Sequence, residues 1–409
     1  MKKVKLEKIS KSISSGITPL RSNLEYWDDG NIPWLKTEQL GEKYIYDTSE
    51  KITDYALENT TIKLNPINTL CIAMYGEGRT RGNISILKSI MTTNQACCNI
   101  VIDEDKADYE YIYYYLKTQY HQLRSLSSGV RKNLNSNDIK NFEIRLPKDI
   151  ITQKKIAAVL SSLDDKIELN NRINSELENL AKTIYDYWFV QFDFPDENGT
   201  PYKSSGGKMV YNQELKREIP AGWEVKLLGD IGKNIKNVIK QTDIDPEISY
   251  IGLEHIPRKK IALDTWSTAF DLASDKLSFT RRDILFGKLR PYFHKVGVAF
   301  ISGVCSTDIL VLNSKKESYF GLFLMVVSSD NFINYVNLAT EGTRMPRTKW
   351  EFMKQYLLAV PKEDINQKFN DILKPLISQM ENNTYQNQQL TQLRDWLLPM
   401  LMNGQITVK

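Results

Sequence analysis

The chain nearly repeats itself once, and that constrains its fold more than any single motif. Lys3-Val-Lys-Leu6 resembles Glu224-Val-Lys-Leu227, and Trp34-Leu-Lys-Thr-Glu-Gln-Leu40 resembles Tyr250-Ile-Gly-Leu-Glu-His-Ile256, at offsets of 221 and 216. Gly129-Val-Arg131 ahead of Arg145-Leu-Pro147 parallels Gly342-Thr-Arg344 ahead of Ala359-Val-Pro361, at 213 to 214. A drifting offset reflects unequal loops. A solenoid repeats every 20 to 50 residues, so a period this long means two duplicated domains.

Each half ends in a heptad pattern. Ile156, Leu160, Leu163, Ile167, Asn170, Asn174, Leu177, Ala181, Ile184 and Trp188 step by 4 and 3 throughout. Shifted by 213, the same steps fall on Phe369, Leu373, Leu376, Met380, Asn383, Asn387, Leu390, Arg394, Leu397 and Leu401. Such spacing makes one apolar helix seam. Arg394 breaks it, with Leu393 beside it as a substitute. Asn in a seam lowers stability and fixes register. In an antiparallel pair with opposed middles, Asn170 meets Asn387 and Asn174 meets Asn383. A seam packed only on its own domain is the plainer alternative. Pro375 is expected to kink the second helix or delay its regular part, and Asp364 with Gln367 suggests a capping box.

Residues 1–150 and 223–362 mix short β-branched or aromatic runs with turn residues, and Tyr109–Leu126 and Tyr319–Leu338 read as helices. The expected fold is duplicated α/β: two mixed domains separated by two long helices, 151–191 and 363–409, that form an antiparallel coiled coil with pseudo-two-fold symmetry. Residues 192–222, rich in Pro, Gly and Ser, read as a linker.

Composition bounds the chemistry. The 54 basic and 50 acidic side chains leave a net charge of only +4, so any case for a polyanion partner must be local. No apolar run reaches the roughly 20 residues of a membrane helix, and the N-terminus lacks a secretory apolar core. Cys71, Cys97, Cys98 and Cys305 form no CxxC, and His121, His255 and His294 lie far apart, so buried thiols, no metal and a cytoplasmic location are expected. There is no GxxxxGK[ST], HExxH or GxSxG, and no Pro-Pro pair of the kind amino-methyltransferases use. Pro195-Asp196 followed by Glu214-Leu-Lys216 or Glu224-Val-Lys226 has the spacing of a PD-(D/E)xK nuclease, whose acids bind Mg²⁺, but its first half lies in the linker. No catalytic residue is assigned.

What remains are basic clusters at matching places. Gly76-Glu-Gly-Arg79-Thr-Arg81-Gly82 has its counterpart in Gly287-Lys288-Leu-Arg290-Pro-Tyr292-Phe-His294-Lys295. Arg131, Lys132 and Asn133, with Asn135 close by, face Arg344 and Arg347. Arg forks onto guanine or phosphate, Lys suits phosphate, and Asn or Gln reads adenine. With Lys36, Thr37, Gln39 and His255 from the second pair of repeats, these are the candidate DNA contacts. Solvated surface loops are the ordinary alternative for any single cluster.

Together these features resemble the specificity subunit of Type I restriction-modification systems. The likeness spans essentially the whole chain. It includes Ile219-Pro-Ala-Gly-Trp-Glu-Val225, Trp188-Phe-Val-Gln-Phe-Asp-Phe194, Gln153-Lys-Lys-Ile156 and Leu397-Leu-Pro-Met-Leu-Met-Asn-Gly-Gln-Ile406. The resemblance implies two target recognition domains reading a bipartite sequence in double-stranded DNA, and helices that set their separation and bind methyltransferase subunits, two of them. It also implies that AdoMet belongs to those partners and cleavage to separate restriction subunits, with no cofactor in this chain. From Ile156 to Trp188 a helix would run about 48 Å, on the order of a dozen base pairs. A structural adaptor dimerised by its heptads is the rival reading, and a PD-(D/E)xK nuclease a weaker one.

Overall fold

The structure is a computed structural model that describes residues 1–76, 80–126, 133–147, 149–338 and 345–408. The chain divides into two compact units, residues 1–167 with 388–409, and residues 168–387. Each unit holds one mixed domain and a stretch of both long helices.

In the first unit, Lys2–Lys5 pairs antiparallel with Glu143–Leu146. A five-stranded sheet runs in the order Ser10–Ser15, Cys97–Ile102, Leu70–Ala73, Ile84–Leu87, Tyr44–Ile45. A smaller sheet places Ile32–Leu35 between Glu50–Ile52 and Thr92–Thr93, with Trp34 opposite Thr92 in parallel register. Asp108 caps the helix Tyr109–Thr118 by accepting the Tyr111 N–H at 2.8 Å, which satisfies one of the donors a helix start leaves open. The expected single helix over Tyr109–Leu126 is two, Tyr109–Thr118 and Tyr120–Ser125, hinged at Gln119. Leu6, Ile112, Ile156 and Leu160 share this unit's core with Leu398, Leu401 and Met402 from the last turns of the chain.

The second unit repeats the plan. Glu224–Leu227 pairs with Leu357–Val360. A four-stranded sheet runs Gly232–Ile235, Ile309–Ser314, Ile284–Gly287, Val296–Val298, the order of the first unit's large sheet without its last strand. The parallel pair recurs too, with Tyr250 opposite Val304. Here, however, the smaller sheet has gained Val238–Ile239 and Lys276–Phe279. Tyr319–Leu338 is likewise divided, into Phe320–Val327 and Asp330–Leu338, where the Ser328 hydroxyl turns back onto the Leu324 carbonyl.

The first long helix, Ile150–Tyr185, begins where Asp149 accepts the Thr152 N–H at 2.7 Å, and passes into a π-helical turn at Asp186–Val190. The second runs unbroken from Glu363 to Met402. Pro375 therefore neither delays nor interrupts it: Pro375 and Asp371, whose carbonyl loses a partner, both lie on an exposed face where water can serve. The capping box is also absent, because the helix already starts at Glu363 and the Gln367 amide reaches forward to Asp371 at 2.8 Å.

Inside the second unit the helices are antiparallel. Asn170 Nδ2 donates to Asn387 Oδ1 at 2.9 Å and Asn383 Nδ2 to Asn174 Oδ1 at 2.8 Å. Farther along the pair, Trp188 packs on Phe369 with ring centroids 5.8 Å apart. Inside the first unit, Arg394 does occupy the seam side, contrary to expectation. Its guanidinium binds the buried Asp164 carboxylate at 2.7 Å, and the Tyr114 hydroxyl donates to the other oxygen, whereas Leu393 is exposed. A charge is tolerated there because all its close partners are polar.

Residues 192–222 are not a loose tether. Phe192 and Phe194 are buried against Trp223, which Phe189 also contacts, and Met209–Asn212 forms a hairpin with Arg217–Pro220. The few aromatics, each worth roughly 1.5–3 kcal/mol on burial, outweigh the turn residues around them.

Candidate nucleic-acid interface

The structure joins the two basic segments of each half by one equivalent contact. The Leu134 N–H donates to the Met74 carbonyl at 3.2 Å, and the Thr348 N–H to the Lys288 carbonyl at 3.0 Å. Both ends are offset by 214, so the duplicated domains place their candidate loops alike. In the second unit the Arg290 N–H also donates to the Pro346 carbonyl at 2.8 Å, and Leu289 forms a bridge with Arg347. Lys288, Arg290, Tyr292 and Arg347 thus share one edge.

Individual side chains differ in how free they are to act. Tyr292 is 51% exposed at the tip of its turn. Arg347 is exposed and spends its Nε on Asp308 at 3.1 Å, leaving the guanidinium terminus for another acceptor. His255 is committed to the fold. Its Nδ1 accepts the Gly252 N–H at 2.9 Å, so Nε2 carries the ring proton, and burial lowers its pKa. His294, outside the expected contacts, is buried and bridges the Ser328 carbonyl at 2.8 Å and Asp330 at 3.3 Å.

In the first unit, Lys36 is bound to Glu50 at 2.5 Å and to Glu38 at 2.8 Å, hydrogen bonds that hold its ammonium pKa above the ordinary value. It would have to leave both to reach a phosphate. Thr37 and Gln39 lie on the adjoining single turn, both half-buried. The Arg81 carbonyl accepts Arg124 Nη1 at 2.8 Å. Gly82, at φ +89°, permits this approach, since a Cβ there would stand 3.2 Å from Arg124 and 3.3 Å from the Tyr120 ring. Beside it opens a cleft of about 770 Å³ lined by Asn83, Lys117, Tyr120, His121 and Arg124. Asn133 is half-buried next to the Leu134 contact. Arg79, Arg131, Lys132 and Arg344 lie outside the described residues.

Lys117, Arg124 and the stacked Arg258 of the second unit, whose guanidinium carbon is 4.1 Å from the Phe293 ring centre, were not among the expected contacts. Lys117 and Arg124 each also lie over a tyrosine four residues earlier, Tyr113 and Tyr120, whereas Arg258 meets its ring only through folding.

The nuclease-like spacing is explained otherwise. Asp196 uses both oxygens within its own exposed turn, accepting the Asn198 and Thr200 N–H groups and the Thr200 hydroxyl. The Thr200 N–H in particular keeps its pKa low. Among the described residues no group of His, Cys, Asp and Glu is arranged to hold a metal, and no helix is long and apolar enough to cross a membrane. All four cysteines are free and buried.

Comparison with known proteins agrees with this geometry. A family model described as "Type I restriction modification DNA specificity domain" matches residues 1–179 and 220–392, one match in each half. The Type I restriction enzyme MjaIX specificity subunit of Methanocaldococcus jannaschii is 29% identical over 417 aligned residues, covering 97% of this chain and 91% of its own length. The HindI specificity subunit of Haemophilus influenzae is 24% identical, over 71% of this chain and 74% of that one. In fold, the chain is similar to the crystal structure of a Type-I restriction-modification system S subunit from M. genitalium, with TM-score 0.57 and 15% identity over 98% and 95% of the two chains. With both duplicated halves matched and the basic loops at equivalent places in each, the chain belongs to the Type I restriction modification DNA specificity family.

Proposed function

We propose that this chain is the DNA-reading specificity subunit of a Type I restriction-modification enzyme and that each half reads one part of an interrupted target. The observation that carries the reading is the double family match, one per half. The equivalent stitching of basic loops in each half supports it. Each domain would set its loops into the major groove while Lys and Arg neutralise phosphates. Base-edge contacts would supply sequence preference, and phosphate contacts register.

Catalysis then belongs to partners: AdoMet and adenine methylation to methyltransferase subunits, two per specificity subunit, and cleavage to restriction subunits. This chain's part is to bind and to position. The adaptor reading is disfavoured because the seam is already satisfied within the chain, through Asn170 with Asn387 and Asn174 with Asn383.

The test is to express the chain with its methyltransferase partner and map methylated adenines across a genome. A two-part motif with an unspecified gap is expected. Methylation without sequence preference, or at a continuous motif, would refute the two-reader reading.

A further inference from the structure

Three residues other than glycine hold left-handed backbone in one small region of the second unit: Lys259 at φ 56°, Arg290 at 51° and His294 at 52°. Each such residue costs about 1–3 kcal/mol and persists only where its surroundings enforce it. Here they do. The Lys259 N–H donates to the His294 carbonyl at 2.9 Å, the His294 ring is fixed by the Ser328 carbonyl at 2.8 Å, and Lys259 Nζ meets Asp330 at 3.2 Å.

What this strain holds in place is the single turn Pro291–Phe293, with Tyr292 exposed at its tip and the Phe293 ring beneath Arg258. Arg258 is exposed, and among the described residues it forms no ion pair. Its neighbour Lys295 donates to the Leu253 carbonyl at 2.5 Å. Stacking on an aromatic ring uses the face of a guanidinium and leaves its edge of N–H donors available. A guanidinium held in one plane suits a partner with two acceptors side by side; two phosphate oxygens and the O6 and N7 of guanine in the major groove both qualify, and only the guanine contact would carry sequence preference.

We propose that Arg258 is a specificity-determining residue that reads a guanine in the half-site recognised by the second domain, with Phe293 as its positioning residue. The inference rests on the DNA-reading function proposed above and adds a named base contact to it.

The experiment selects binding sites from randomised DNA with the complete methyltransferase complex, carrying wild-type chain, R258A, R258K or F293L. Wild type should yield a two-part motif. R258A should lose about 10- to 100-fold of discrimination at one G·C pair in one half-site, leaving the other half-site and the gap as they were. R258K, which keeps the charge and loses the fork, should not restore that preference, and F293L should weaken it at the same position. An unchanged motif in R258A, a uniform loss of affinity, or full rescue by R258K would each overturn the assignment while leaving the two-reader function standing. Absence of any two-part motif with wild-type chain would overturn both.

Discussion

A single charged residue shows how finely the helix pair is specified. Arg394 sits where an apolar side chain was expected, and its partner Asp164 is only 7% exposed. Removing one member of a buried pair strands the other, so Arg394→Ala should destabilise the first unit by about 3–5 kcal/mol. Replacing both, as D164L with R394L, should recover much of that. Thermal unfolding of the three variants checks both statements, and an unchanged transition in R394A would show that the pair anchors nothing. Histidines set a second residue-level expectation. Burial depresses the pKa of His255, which lies near Glu254 and Lys295, and of His294, which faces Asp330 and Lys259. The folded state then binds fewer protons than the unfolded chain, whose histidines titrate near about 6.5. Stability from these groups is complete above that pH and is lost as pH falls below it. Melts at pH 7.5 and 5.5 should show the second unit weakening at the lower pH, and less so in H294Q.

At the scale of elements, the heptad was legible because its period is a direct image of the packed face. Asn at matched positions even fixed the register, and cysteines at 170 and 387 should crosslink readily under mild oxidation, whereas those at 170 and 383 should do so less well. Efficient crosslinking of the second pair would mean a slipped seam. The delayed start expected from Pro375 is absent and residues 192–222, a linker by composition, are packed, for one reason: local preference was all the sequence offered, and both segments are decided by where side chains end up. Pro375 faces solvent, and Phe192, Phe194 and Trp223 face each other. Basic loops were locatable from their recurrence. The placement of Lys117 and Arg124 in a cleft and of Arg258 on a ring was not, because cleft and stack are built from residues that only folding brings together.

For the whole molecule, the repeated sheet order and the contacts offset by 214 argue that the two halves share a scaffold, while among the described residues the strands Val238–Ile239 and Lys276–Phe279 of the second have no counterpart in the first. If the helices act as the ruler between readers, deleting one heptad from each should shorten the preferred gap by roughly three base pairs, from about 10 Å of helix. Both half-sequences should stay the same. Methylation-site mapping reads this directly, and an unaltered gap would refute the ruler. The interleaving of the first unit has a temporal side. Leu398, Leu401 and Met402 complete the core that Leu6 begins, and a ribosome adding about 5–20 residues per second delivers them tens of seconds after the opening strand. The domain synthesised earliest is therefore sealed last. A stop codon that clips the final two turns should harm that first-made body while sparing the one translated after it.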